Sequence, residues 1–200
     1  SLVTTSKLFS TELPSGNGFE SEFFDADMNA AAVADAARTA LTSLQERAAV
    51  SGSPWYLQVH FRDPHGPYNP PVSYQGELAG ADLSPYDPRT LDGIRAIFSD
   101  MDSFTDAERD AVTANLETLY AGELRYLDTQ LAMLWRDWSA SGALDDALVV
   151  IWSDHGEQFF EHGGFQHGTT LHQEESGAVG LFWAENLPAA AFTAPTTHTD

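Results

Sequence analysis

Apolar residues recur at helical spacing in two stretches of this chain and run almost unbroken in two others. From Asp27, "DMNAAAVADAARTALTSLQERAAV" is alanine-rich with apolar positions at helical intervals. It predicts a helix with Asp27 as its N-cap and "SGSP" as its stop. A second helix is predicted to open near Thr105, where "TDAE" sets a hydroxyl three residues before Glu108, the pattern of a capping box. Val112, Leu116, Leu119, Leu127, Leu131, Leu134 and Trp138 follow at helical intervals as one apolar stripe, and "SASG" closes it. "WYLQVHF" (55–61) has the aromatic and β-branched content of a buried strand. "ALVVIW" (147–152) holds no polar residue and predicts a parallel strand covered on both faces. "SGAVGLFWA" is a weaker third strand. Residues 1–24 read as an irregular lead-in, and "RDPHGPYNPPVSYQGELAGADLSPYDP" is too rich in proline for regular structure.

Alternating helices and strands predict an α/β fold, and 200 residues with 42% hydrophobic content suit one domain over 1–200. Charge narrows the partners. Thirty acidic residues face nine basic ones, a net charge of -21. Such a field repels nucleic acid and anionic membrane surfaces. It also repels anionic substrates unless a cation reverses it locally. The absence of cysteine excludes disulfides, thiolate metal sites and a cysteine nucleophile within these residues. No apolar run approaches the ~18 residues of a membrane span. The first residues, "SLVTTSKLFS", do not have the form of a signal peptide.

In open α/β sheets, ligands gather beyond the carboxyl ends of the strands. Two strands here run into loops that carry histidine and aspartate together: "WYLQVHF" into "RDPHGPY", and "ALVVIW" into "SDHGE". A helical zinc site is excluded. His162, His167 and His172 fall five apart where four is needed, and "HGGFQHG" is too glycine-rich for a helix. No G-x-S-x-G elbow and no phosphate-binding P-loop occur. A metal-assisted hydrolase remains: Asp154 offers a hard oxygen and His155 an imidazole to a divalent ion.

"SDHGEQFFEHGGFQHGTTLHQEE" resembles the C-terminal signature of the sulfatase family of the alkaline phosphatase superfamily. "LQVHFRDPHGPYNPP" resembles that family's strand and Pro-His loop, "YAGELRYLDTQL" its intervening helix, and the closing "THTD" the start of its D-x-x-P-T segment. The resemblance implies a partial alkaline-phosphatase-like mixed or parallel sheet flanked by helices, with motifs from 55 to 200. It implies that Asp154 and His155 are metal ligands, with calcium expected and magnesium, manganese or zinc as alternatives. It matches His65 to the histidine that faces the sulfate or phosphate group and helps the leaving oxygen depart. It matches His167 to a position where many members carry an anion-clasping lysine, so the histidine is a departure.

The family's nucleophile segment, Cys/Ser-x-Pro-x-Arg, occurs nowhere in these 200 residues. The chain therefore reads as the central and C-terminal portion of a sulfatase-like hydrolase. It would take a small anionic ester, depend on a missing N-terminal region of the same protein, and by itself turn over nothing. A periplasmic or extracellular setting is favoured by the resemblance. Alternatives are a phosphate or phosphonate monoester hydrolase, a phosphoethanolamine transferase, or a non-catalytic binding module. His60 reads as structural, and His162, His172 and His198 as loop residues; Asp63 and Glu157 would shape turns and brace neighbours. One geometric expectation underlies the whole: Asp154, His155 and His65 should meet at a shared opening.

Overall fold

The computed structural model of the chain describes residues 2–4, 22–24, 28–80 and 82–190. Asp27, proposed above as a helix cap, and the closing "THTD" with His198 lie outside these residues. The fold is mixed α/β, with long helices and three small sheets.

Helix α1 (Ala30–Ser51) is capped by Asn29, whose side chain accepts a hydrogen bond from Ala32 N, rather than by the aspartate two residues earlier. It ends at Gly52, whose φ of 69° is the left-handed geometry that glycine adopts without cost. Ala30, Val33, Ala34, Ala37, Leu41 and Leu44 form its buried face. The small side chains of Ala34 and Ala37 pack against Leu134 of a later helix, with Val59, Phe61 and Trp138 around them.

That later helix, here α3 (Asp106–Ala140), opens on the expected capping box: Thr105 and Glu108 each satisfy the other's backbone N–H. Val112, Leu116, Leu119 and Leu134 of the anticipated stripe are buried. Between the two lies a helix that the sequence pattern did not reveal, α2 (Leu91–Asp100), capped by the Thr90 side chain. Its Ile94 and Ile97 join Val112, Leu116, Leu119, Tyr68 and Phe165 in the main core. Burying each large aliphatic side chain is worth about 1.5–3 kcal/mol.

The lead-in is not wholly irregular. Strand β1 (Leu2–Thr4) pairs in parallel with β2 (Glu22–Phe24) on one side and with β3 (Gln58–His60) on the other. Strand β4 (Val149–Trp152) corrects another expectation: it pairs antiparallel with β7 (Gly180–Trp183), and it is not covered on both faces. Trp183 of β7 meets Trp135 of α3 at 4.7 Å between ring centroids, so the pair touches the helix at that residue. Val150, Trp152 and Phe182 alternate onto the face opposite Trp183 and are exposed. The glycine-rich stretch after β4 forms a short antiparallel hairpin, β5 (Gln158–Phe159) and β6 (Phe165–Gln166), followed by a single helical turn, α4 (Gln173–Ser176). Among the described residues, no helix is long and apolar enough to cross a membrane.

Candidate functional site

Two loops build the site. The first leaves β3 and carries Asp63, His65 and Tyr68; the second leaves β4 and carries Asp154, His155, Glu157 and, past the hairpin, His167. Tyr68 anchors the first loop by burying its ring completely in the main core. The second loop is held by a buried carboxylate, Glu175, which gathers the Thr170 and Thr169 hydroxyls, both their backbone N–H groups and the Gln158 amide. Those bonds, the Thr170 hydroxyl first, lower the Glu175 pKa to about 2.

The anticipated residues converge. The His65 and His167 rings stand edge-on with centroids 5.3 Å apart, and His155 lies over His167 at 3.9 Å with planes 32° apart. Asp154 Oδ1 is 3.7 Å from His155 Nε2 and also accepts a hydrogen bond from His155 N. Asp154 is largely exposed, with 76% of its side chain open to solvent. His65 and His155 each engage Nδ1 with the next residue's carbonyl, Gly66 O and Gly156 O, both at 2.7 Å. A carbonyl can only accept, so both rings carry Nδ1–H there and leave Nε2 as the free nitrogen. His60 ends β3 beside this cluster: burial lowers its pKa, and the Asp154 charge pulls the other way.

Glu157 and Tyr68 contribute more than the sequence revealed. His167 Nδ1 lies 2.8 Å from Glu157 Oε1, and the Tyr68 hydroxyl donates to Glu157 Oε2 at 2.7 Å. Only 5% of the Glu157 side chain is exposed. The hydrogen bond that His167 donates to Glu157 raises the His167 pKa, against the effect of burial. Burial raises the Tyr68 pKa, and the Glu157 charge adds to it. Nothing in the spacing of "HGPY" and "DHGE" announces that the two segments share a carboxylate.

His162 and His172, set aside above as loop residues, stack at 3.7 Å, with His162 Nε2 3.0 Å from Glu174 Oε2. Behind the first loop a cavity of about 340 Å³ is lined by Asn29, Asp63, Asn69 and Glu123 among others. Buried Glu123 sits opposite Asp63, and desolvation together with that second carboxylate lifts its pKa to about 8.

A divalent cation would find in Asp154 and His155 one hard oxygen and one imidazole with a free Nε2, which fits part of a coordination shell. Among the described residues, no group of three or more ligating side chains is arranged to hold an ion.

No curated protein matches the chain closely enough to count as a relative. The family model for sulfatases matches residues 5–198, nearly the whole chain and all of the segments that build the site. With the DHG segment, the Pro-His loop and the connecting helix all inside that match, this chain belongs to the sulfatase family.

Proposed function

We propose that this chain takes part in the metal-dependent hydrolysis of a sulfuric ester, with Asp154 and His155 holding a divalent cation, calcium first among the candidates. When bound, the cation would draw charge from the substrate and from the attacking oxygen. It would also offset locally the field of a chain carrying -21. His65, with Nδ1–H committed to Gly66 O, turns Nε2 toward the leaving-group oxygen and serves it as an acid when that nitrogen also carries a proton. His167 takes the place of a lysine, and as an imidazolium it pairs with the ester's anionic group. The nucleophile is none of these four residues.

One observation carries this proposal: His65 and His155, from loops about 90 positions apart, both adjoin the ring of His167. The substrate in this reading is a small anionic ester, and the setting is periplasmic or extracellular. Phosphate or phosphonate ester hydrolysis and phosphoethanolamine transfer are the neighbouring chemistries.

The test is hydrolysis of paired aryl sulfate, aryl phosphate and aryl phosphonate substrates by the full-length protein, with and without a chelator. Aryl sulfate should be preferred, and both chelation and Asp154→Asn should remove turnover. Turnover by D154N equal to the unsubstituted protein would overturn the metal assignment; a preference for the phosphorus esters would overturn the sulfate assignment.

A further inference from the structure

Three side chains link the two loops of the site, and a fourth lies against them. Tyr68, wholly buried, donates its hydroxyl to Glu157, and Glu157 holds His167 Nδ1 with its other oxygen. The Gln166 amide lies beside Tyr68 and offsets part of the rise in its pKa. Gln166 immediately precedes His167 and has a φ of 67°, a left-handed conformation that a residue with a side chain adopts at a cost. That geometry lets neighbouring residues serve one partner network: the Gln166 side chain reaches Tyr68 and the His167 ring reaches Glu157. Gly66 leaves the room, since a Cβ there would lie 2.8 Å from Gln166 Nε2.

We propose that Glu157, pinned by Tyr68, is the positioning residue for His167: it accepts from Nδ1–H and so turns Nε2, which carries the second proton when the ring is an imidazolium, toward the substrate's anionic group. This rests on the reading of His167 as an anion ligand. A lysine at such a position needs no partner to be a cation or to point its charge. An imidazole has two unlike nitrogens, and which one carries the proton is set by what the other ring edge meets. A buried carboxylate with one oxygen already taken by a hydroxyl has a single acceptor left for the ring, so it selects both tautomer and orientation. Tyr68 and His65 belong to the same loop, so the bond that orients His167 also fixes how far His65 stands from it.

The experiment uses the purified protein labelled with 15N at histidine. Long-range nitrogen–proton correlation spectra are recorded at alkaline pH, where the ring is neutral. The expected result is His167 as the Nδ1–H tautomer in the unsubstituted protein. Glu157→Gln should shift it toward Nε2–H, because a carboxamide offers one acceptor oxygen to two donors. Tyr68→Phe keeps the ring in the core and removes only the hydroxyl, so it serves should E157Q fail to fold; it should broaden or move the same signals. In steady-state hydrolysis of an aryl sulfate, both substitutions should raise KM about tenfold or more, with a smaller change in kcat.

His167 found as Nε2–H in the unsubstituted protein would overturn the proposal, as would spectra unchanged by E157Q. A normal spectroscopic result with no effect on KM would leave the clamp standing and overturn the anion-ligand reading on which its purpose rests.

Discussion

The His155 ring lies over that of His167 with centroids 3.9 Å apart, while His167 Nδ1 faces Glu157 at 2.8 Å. Two imidazoles in contact and one buried carboxylate make His167 the ring that the carboxylate favours as a cation. Its pKa is raised by the Glu157 hydrogen bond. A raised folded-state value means that stabilisation is fully present below the ordinary value of 6.5 and is lost as pH climbs through the folded value. A chemical-shift titration should place the His167 midpoint above 6.5, and Glu157→Gln should lower it.

Glu123 sets the alkaline limb of stability. Its carboxyl is lifted from 4.5 to about 8, chiefly by desolvation and then by Asp63, so the folded chain holds a proton that the unfolded chain has released. Stability should therefore fall as pH rises from about 4.5 to about 8. Glu123→Gln, which needs no proton, should flatten that slope in urea melts at a series of pH values. An unchanged slope would mean that Glu123 is ionised in the fold.

Glu175 acts on the opposite limb. Held near 2 by the Thr170 hydroxyl and its neighbours, it contributes stability above 4.5 that fades as pH drops toward 2. Glu175→Gln should weaken the protein at neutral pH and lessen its sensitivity to acid. The hairpin bearing His167 should lose hydrogen-exchange protection first.

Gly156 is a packing requirement of the site. Its N–H donates to Glu175 O at 2.7 Å, and a Cβ there would run into Glu174 O and stand 2.9 Å from Gly177 O. Gly156→Ala should cost about 1–3 kcal/mol in thermal or urea unfolding. It should also displace His155, readable as a change in its imidazole shifts.

The outer face of the β4–β7 pair presents Val150, Trp152 and Phe182, with Trp152 51% and Phe182 63% exposed. A patch of this kind should bind an apolar dye such as ANS in the native state. Trp152→Gln with Phe182→Thr should reduce that fluorescence and shift the unfolding free energy by only about 0.5 kcal/mol, as surface changes do.

Much of this was legible because it is local. The Thr105–Glu108 box and the stripe from Val112 to Trp138 encode α3 in its own neighbourhood, and it formed as read. Helix α2 was hidden by Gly93, which reads as a breaker but is needed there because a Cβ would collide with the Asp87 backbone. The direction of β4's partner was beyond reach, since an unbroken apolar run records burial and not strand polarity. That the loops bearing His65 and His155 lie together followed from the order of two loops after two strands; that His167 stands between them did not. The Tyr68–Glu157 bond did not, because a side-chain pairing 89 positions apart leaves no period in the sequence.

Helix α3 touches nearly everything that sets the site. At Gly122 its backbone lies against Tyr74 O and Pro70 of the first loop, at Leu134 it meets α1, and at Trp135 it meets β7. It is a splint, and its rigidity is also its constraint. One residue inserted between Gly122 and Leu134 would turn one set of contacts about 100° against the other. The loops can vary in length without losing register, whereas this helix cannot gain or lose a single position and still serve both halves.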